Sequence, residues 1–322
     1  VPEGQLLHFE EWGHGDPAIA LHPLALESSA FSGIAQALAA RGIRTLAADL
    51  PGFGQTPVDD DVRLTPAMMA EQVVELARSL EQPPLLIGYS MGGRVALEAA
   101  LMEPDTFRGV VAAASFLPWK RARWAMEWMR HLDPRWAEGL RLEVAWPAIK
   151  RVTERVESIP QLEHDWLARA GVRCAYYLTC PATRVALLNA AREMCLDPGF
   201  GPESLWQRMP QLEIPTTFLW AGRDGLIPRH HWDLVSETLP WAGQLEVPCS
   251  GHFVSGAHFR CMRHAIALAV DQTLEVERGE RNPRQRTLSP CLSDAVEFDD
   301  EVAPASPDPA PDASLVAQGG SH

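Results

Sequence analysis

Long apolar runs are absent from this chain of 322 residues. None approaches the ~18 residues that a bilayer-spanning helix requires, which counts against a membrane protein. Val1–Glu10 shows neither the basic flank nor the apolar stretch of a secretory leader. Lysine is nearly missing: Lys120 and Lys150 stand against 26 arginines. That imbalance reflects GC-rich coding and carries no information about activity. A basic excess is missing too. The net charge is −14, which argues against a nucleic-acid binder. The six cysteines include no Cys-x-x-Cys and no metal-ligand spacing. They read as reduced thiols, and the expected compartment is the cytoplasm.

What is present is a globular balance, 46% hydrophobic and 22% charged. A chain of this length can bury a large core without disulfides or metal. Its first half alternates strand-like and helix-like segments. Short apolar runs occur at Ala18–Leu21, Thr45–Ala48, Leu85–Ile87 and Val110–Ala113. Helical spacing occupies Phe31–Ala40, Thr65–Leu80 and Met91–Met102, with Thr65 as N-cap and Pro66 at the first helical position. Continuous apolar strands between amphipathic helices predict an α/β fold whose mostly parallel sheet is covered on both faces.

The pattern changes at Pro118. Residues 118–209 show helical spacing and almost no strand signal, and predict a helical cap inserted between a first core part, 1–117, and a second, 210–278. Seven of the eleven tryptophans lie in the cap, with Trp124, Trp128 and Leu132 spaced as one helical stripe. Most are expected to form the cap's own core, and Trp124 and Trp128 to face substrate. Strand signal returns at Thr216–Trp220 and Leu245–Val247, followed by a helix near His258–Glu275. Residues 279–322 turn to Pro, Asp, Ala and Ser, and predict a disordered acidic tail.

The sharpest motif is Gly88-Tyr89-Ser90-Met91-Gly92, between a predicted strand and a predicted helix. In that setting Gly-x-Ser-x-Gly is a nucleophile elbow: a strained turn exposes the serine hydroxyl, and small glycines let strand and helix cross closely. The adjacent His230 and His231 do not share a helix face, so they do not suggest a metal pair.

On these residues the sequence resembles the α/β-hydrolase family over roughly residues 5–275. Leu21-His22-Pro23-Leu24 is similar to the family's oxyanion loop, and Asp49-Leu50-Pro51-Gly52-Phe53-Gly54 to a turn that follows a sheet strand. The resemblance implies a serine, acid, histidine order. It places the acid at Asp224, in Gly222-Arg223-Asp224-Gly225, and the histidine at His252, in Ser250-Gly251-His252-Phe253. It implies backbone N–H donors at Leu24 and Met91 for the oxyanion, since Pro23 has none, and no cofactor and no metal. Tyr89 is expected to touch substrate.

A serine at the elbow predicts acyl transfer on an ester substrate. Two narrower resemblances compete. The stretch from Asp224 to Arg229, with Asp49–Gly54, is similar to the biotin-pathway methyl esterases, which act on a pimeloyl carrier protein. Tyr89 and Arg94 are similar to the menaquinone-pathway synthases, lyases on the same fold. A non-catalytic binding protein is a third reading. Residues 118–209 carry 14 basic and 11 acidic side chains, with Lys120, Arg121, Arg123 and Arg130 at the start. Such a surface would suit an acidic acyl carrier or a carboxylate substrate.

Overall fold

The computed structural model describes residues 7–59, 61–120, 127–131, 133–159, 166–254, 256–281 and 286–288. Trp124, Leu132, Arg121, Arg123 and the tail beyond Leu288 lie outside the described residues.

Eight strands form one sheet: β1 (Phe9–Trp12), β2 (Asp16–Leu21), β3 (Ile43–Ala48), β4 (Leu85–Tyr89), β5 (Gly109–Ala113), β6 (Thr216–Ala221), β7 (Gly243–Val247) and β8 (Arg286–Leu288). Their order is β1-β3-β2-β4-β5-β6-β7-β8. Only β1 runs antiparallel, pairing Phe9 with Ala48 and Trp12 with Thr45. The remaining pairs are parallel.

The two-residue period of a strand sends alternate side chains to opposite faces. Ile19, Leu21, Leu86 and Val110 pack with Met69 and Val73 of α2 (Pro66–Arg78) and Val95 and Leu97 of α3 (Met91–Met102). Ala18, Ala20, Leu85 and Val111 face Ile34 and Leu38 of α1 (Ser32–Ala39) on the other side. Met262 and Ile266 of the long last helix complete that layer. Burial on both faces is why these strands read as unbroken apolar runs. Thr65 caps α2 as expected, accepting from Met68 N–H at 3.2 Å.

Two edge strands depart from the sequence reading. β1 is Phe-Glu-Glu-Trp, whose central acidic pair hides a strand. β8 lies within the segment read as tail, pairing Gln244 with Arg286 and Glu246 with Leu288. The core therefore does not end at residue 278, and three residues were too few to show a period.

Between β5 and β6 the described residues contain α4 (Trp146–Glu157), α5 (Trp166–Thr179), α6 (Pro181–Leu196), the single turn α7 (Leu205–Arg208) and 3-10 turns, with no strand among them. Trp128 and Trp136 are 56% and 52% exposed, so neither belongs to an inner core of this segment. Arg184 does: wholly buried, it donates to the carbonyls of Leu178, Thr179, Ala137 and Leu140. Tyr177 and Asn189 tie the segment to the sheet layer, accepting from Gly54 N–H and Leu64 N–H. Beyond β6 lie α8 (His230–Thr238) and α9 (Gly256–Glu277).

Candidate active site

The turn from β4 into α3 is strained. Ser90 adopts φ +53° and ψ −111°, a backbone conformation that non-glycine residues rarely hold and that costs ~1–3 kcal/mol. The surroundings compel it. Ser90 N–H donates to Ala113 O at 2.9 Å, and Ser90 O accepts from Arg94 and Phe116. Strand and helix meet so closely that a Cβ on Gly88 would lie 2.3 Å from Gly92 O, and one on Gly92 would lie 2.0 Å from Leu21 O. The two glycines are thus required by contact.

Ser90 Oγ lies 2.9 Å from His252 Nε2, and His252 Nδ1 lies 2.8 Å from Asp224 Oδ2. An ionised carboxylate only accepts, so Nδ1 carries the hydrogen and Nε2 presents a bare lone pair to the serine hydroxyl. Asp224 Oδ1 accepts from the N–H groups of Leu226 and Ile227, both at 2.8 Å. Asp224 is therefore held by its own loop, just after β6. The side chains of His252 and Asp224 are buried, and the three residues predicted from the sequence come together in this chain.

His22 organises the loop that follows β2. Its Nε2 accepts from Leu50 N–H at 3.0 Å, so the hydrogen sits on Nδ1, which donates to Pro23 O at 2.8 Å. Burial pushes His22 below the ordinary histidine value and keeps it neutral. Pro23 O also accepts from Leu26 N–H, and Ala25 follows at φ +63°. Among the described residues, the N–H groups of Leu24 and Met91 have no protein acceptor. Asp49 braces the same region, accepting from Ser28 N–H and Gln55 N–H and lying 2.9 Å from His8 Nδ1.

Three expectations need correction or restriction. Tyr89 is buried and donates its hydroxyl to the backbone carbonyl of His252 at 2.6 Å, so it props the histidine loop rather than touching substrate. Burial, then the nearby Asp224 charge, pushes its phenol well above the usual range and keeps it a donor. Trp128 stands more than half exposed on a 3-10 turn, and no described contact joins it to Ser90, Asp224 or His252. Arg94 places Nε 2.5 Å from Asp197 and Nη1 2.7 Å from Glu98, entirely within the protein.

Sequence reasoning passed over two apolar side chains beside the site. Phe253 is 48% exposed, its ring 5.2 Å from that of His252, and Leu226 is 38% exposed two residues after Asp224. Their adjacency to the acid and the histidine was the available signal. A cavity of about 260 Å³ lies elsewhere, lined by Gly52, Thr56, Val58, Val62, Ala186 and Asn189, with none of Ser90, Asp224 or His252.

An eight-stranded, mostly parallel sheet with a serine on a strained strand-to-helix turn, facing a histidine and an aspartate from later loops, defines a hydrolase architecture. Residues 13–262 match the model of the alpha/beta hydrolase family, and the chain belongs to it. Among curated relatives, it is 29% identical over 255 residues to the pimeloyl-[acyl-carrier protein] methyl ester esterase of Aeromonas salmonicida, covering 76% of this chain and 91% of that protein. It is 29% identical over 239 residues to the enzyme of the same name from Serratia marcescens, covering 73% and 86%. A solved esterase from Thermogutta terrifontis superposes with a TM-score of 0.63 at 23% identity, covering 86% of this chain and 96% of that one. E-2-(acetamidomethylene)succinate hydrolase superposes with a TM-score of 0.61 at 21% identity, covering 82% and 95%. The two structural likenesses concern the fold.

Proposed function

We propose that this chain is a carboxylic ester hydrolase that works through an acyl-enzyme on Ser90. The observation that carries the reading is the hydrogen-bonded run Ser90–His252–Asp224 on a strained elbow. As Ser90 Oγ attacks the ester carbonyl, His252 Nε2 takes its proton. His252 then protonates the departing alkoxide, which leaves as the alcohol. Water attacks the acyl-serine with His252 again as base, releasing the acid and restoring Ser90. Asp224 holds the Nδ1–H tautomer and stabilises the imidazolium. The Leu24 and Met91 N–H groups are the oxyanion donors, consistent with their lack of a protein acceptor among the described residues.

The substrate is a methyl ester with a medium-length apolar acyl chain, in keeping with the relatives named methyl ester esterases. Phe253 and Leu226 supply exposed apolar surface beside the reacting groups. The end of that chain away from the ester is either a free carboxylate or, as in the substrate named for the relatives, held by an acyl carrier protein. The competing lyase reading leaned on Tyr89 and Arg94, and both side chains are bound to protein groups instead.

The test is steady-state hydrolysis of a p-nitrophenyl hexanoate by the wild type and by Ser90→Ala. The expected result is turnover by the wild type and a loss of at least ~10³-fold in kcat for the variant. A wild type inert toward this ester and toward methyl esters would overturn the reading.

A further inference from the structure

Two segments lead away from the reacting groups and meet around one indole. The first leaves the Ser90 turn, where Phe116 N–H donates to Ser90 O, and runs through Trp119 to Lys120. The second leaves the Asp224 loop and enters α8 at His230 and His231. Trp206 stands between them. Its Nε1 donates to Pro118 O at 2.7 Å, Lys120 Nζ lies 5.2 Å from its ring centroid, and the His231 ring packs edge-on at 5.4 Å.

The polar groups here lack acceptors. His231 is 0% exposed, and neither ring nitrogen has a hydrogen-bond partner; the buried Nε1–H of Trp119 likewise has none. Lys120 makes no ion pair with any described carboxylate. A buried donor left without an acceptor costs ~1–3 kcal/mol, and native interiors rarely tolerate several together. An ammonium and an imidazole N–H against one indole are complementary to an oxygen anion, and no residue described here provides it.

Resting on the esterase reading, we propose that Lys120 and His231 form a subsite for a carboxylate carried by the ester substrate. Lys120 supplies the charge. The His231 ring N–H supplies a directed hydrogen bond, and Trp206 is the apolar floor. The subsite selects half-esters of dicarboxylic acids, or esters whose alcohol bears a carboxylate, over neutral esters of equal length. It lies outside the Ser90–His252–Asp224 run, so it acts on selection and binding of the substrate.

The experiment compares kcat/KM for monomethyl adipate and methyl hexanoate, and for the butyryl ester of glycolate and ethyl butyrate. The wild type is expected to prefer the anionic member of at least one pair, and that pair identifies the side bearing the charge. Lys120→Met is expected to shrink the preference at least about tenfold, chiefly through KM, which is the weight of one charge-assisted hydrogen bond. Lys120→Arg should keep most of the preference, and the exposed Lys150→Met should leave it unchanged. No preference in the wild type, or the same preference in Lys120→Met, overturns the subsite while hydrolysis of the neutral esters leaves the esterase reading standing. If no ester is turned over, the esterase reading fails separately. Calorimetric titration with adipate then decides the subsite: binding that Lys120→Met abolishes supports it, and no binding to the wild type overturns it.

Discussion

Tyr89 and His252 are joined by a 2.6 Å hydrogen bond from the phenol to the histidine's backbone carbonyl. Because Tyr89 directly precedes Ser90, one strand end holds both the serine and the loop that carries its partner. Tyr89→Phe keeps the packing and removes the bond. It should lower kcat about five- to thirty-fold with little change in KM, in line with ~1–2 kcal/mol for a lost buried hydrogen bond. Wild-type kcat in Tyr89→Phe would show that the prop is dispensable.

A buried ionic cluster locks α3 to the helical segment. Arg94 binds Asp197 and Glu98, and Glu98 also accepts from both terminal nitrogens of Arg208. Burial raises the Glu98 carboxyl, but the Arg208 and Arg94 guanidinium groups outweigh it and hold the group below its ordinary value. Asp197→Ala would leave the Arg94 and Arg208 guanidinium groups sharing the single Glu98 carboxylate and should cost ~1.5–3 kcal/mol of stability, read by urea unfolding. A loss under ~1 kcal/mol would mean that the cluster is solvated or rearranges freely.

The buried histidines predict an acid-sensitive fold. Burial, then the charges of His230 and Lys120, pulls His231 down to about 4, and burial lowers His22 as well. Unfolded histidines titrate near ~6.5. As pH falls from about 6.5 toward 4, the unfolded chain takes up protons that the folded chain refuses. Unfolding free energy should therefore drop by up to ~1.4 kcal/mol per pH unit for each such histidine, whereas above pH ~7 neither contributes a slope. His231→Phe should flatten the dependence. An unchanged slope in that variant would contradict the assignment.

The strand β8 separates two truncations. Removing residues 279–322 deletes its ladder with β7 and leaves that strand as an open edge, so the melting temperature should fall by several degrees. Removing only 289–322 cuts an acidic, proline-rich stretch and should leave melting and ester turnover near the wild type. Equal melting temperatures for the two truncations would mean that β8 contributes nothing to stability.

Much of this layout was legible in the sequence because the central strands are buried on both faces. Ala18–Leu21 and Val110–Ala113 are unbroken apolar runs for that reason, and α3 begins at the predicted Met91. Ser90 was legible because Gly-x-Ser-x-Gly stands between an apolar strand and a helix, and Asp224 and His252 because the family resemblance puts an acid and a histidine in loops after later strands. β1 and β8 were not, since an edge strand with polar residues or only three residues has no readable period. Nor could spacing show that Tyr89 turns toward His252, or that Arg94 is neutralised by Asp197 from a distant helix end. Those relations belong to packing between segments remote in sequence. The exposure of Trp128 is of the same kind, because a helical stripe states which residues share a face but not what covers it.

The central claim is that Ser90 is the covalent nucleophile, activated by His252. Incubation with a fluorophosphonate and intact-mass analysis, followed by peptide mapping, tests it most directly. The account predicts one phosphonyl adduct per chain on the Ser90 peptide, loss of ester turnover in step with labelling, and labelling slowed at least ~10³-fold in His252→Ala. Labelling of a different serine, or full ester turnover by a chain carrying the adduct on Ser90, would contradict it.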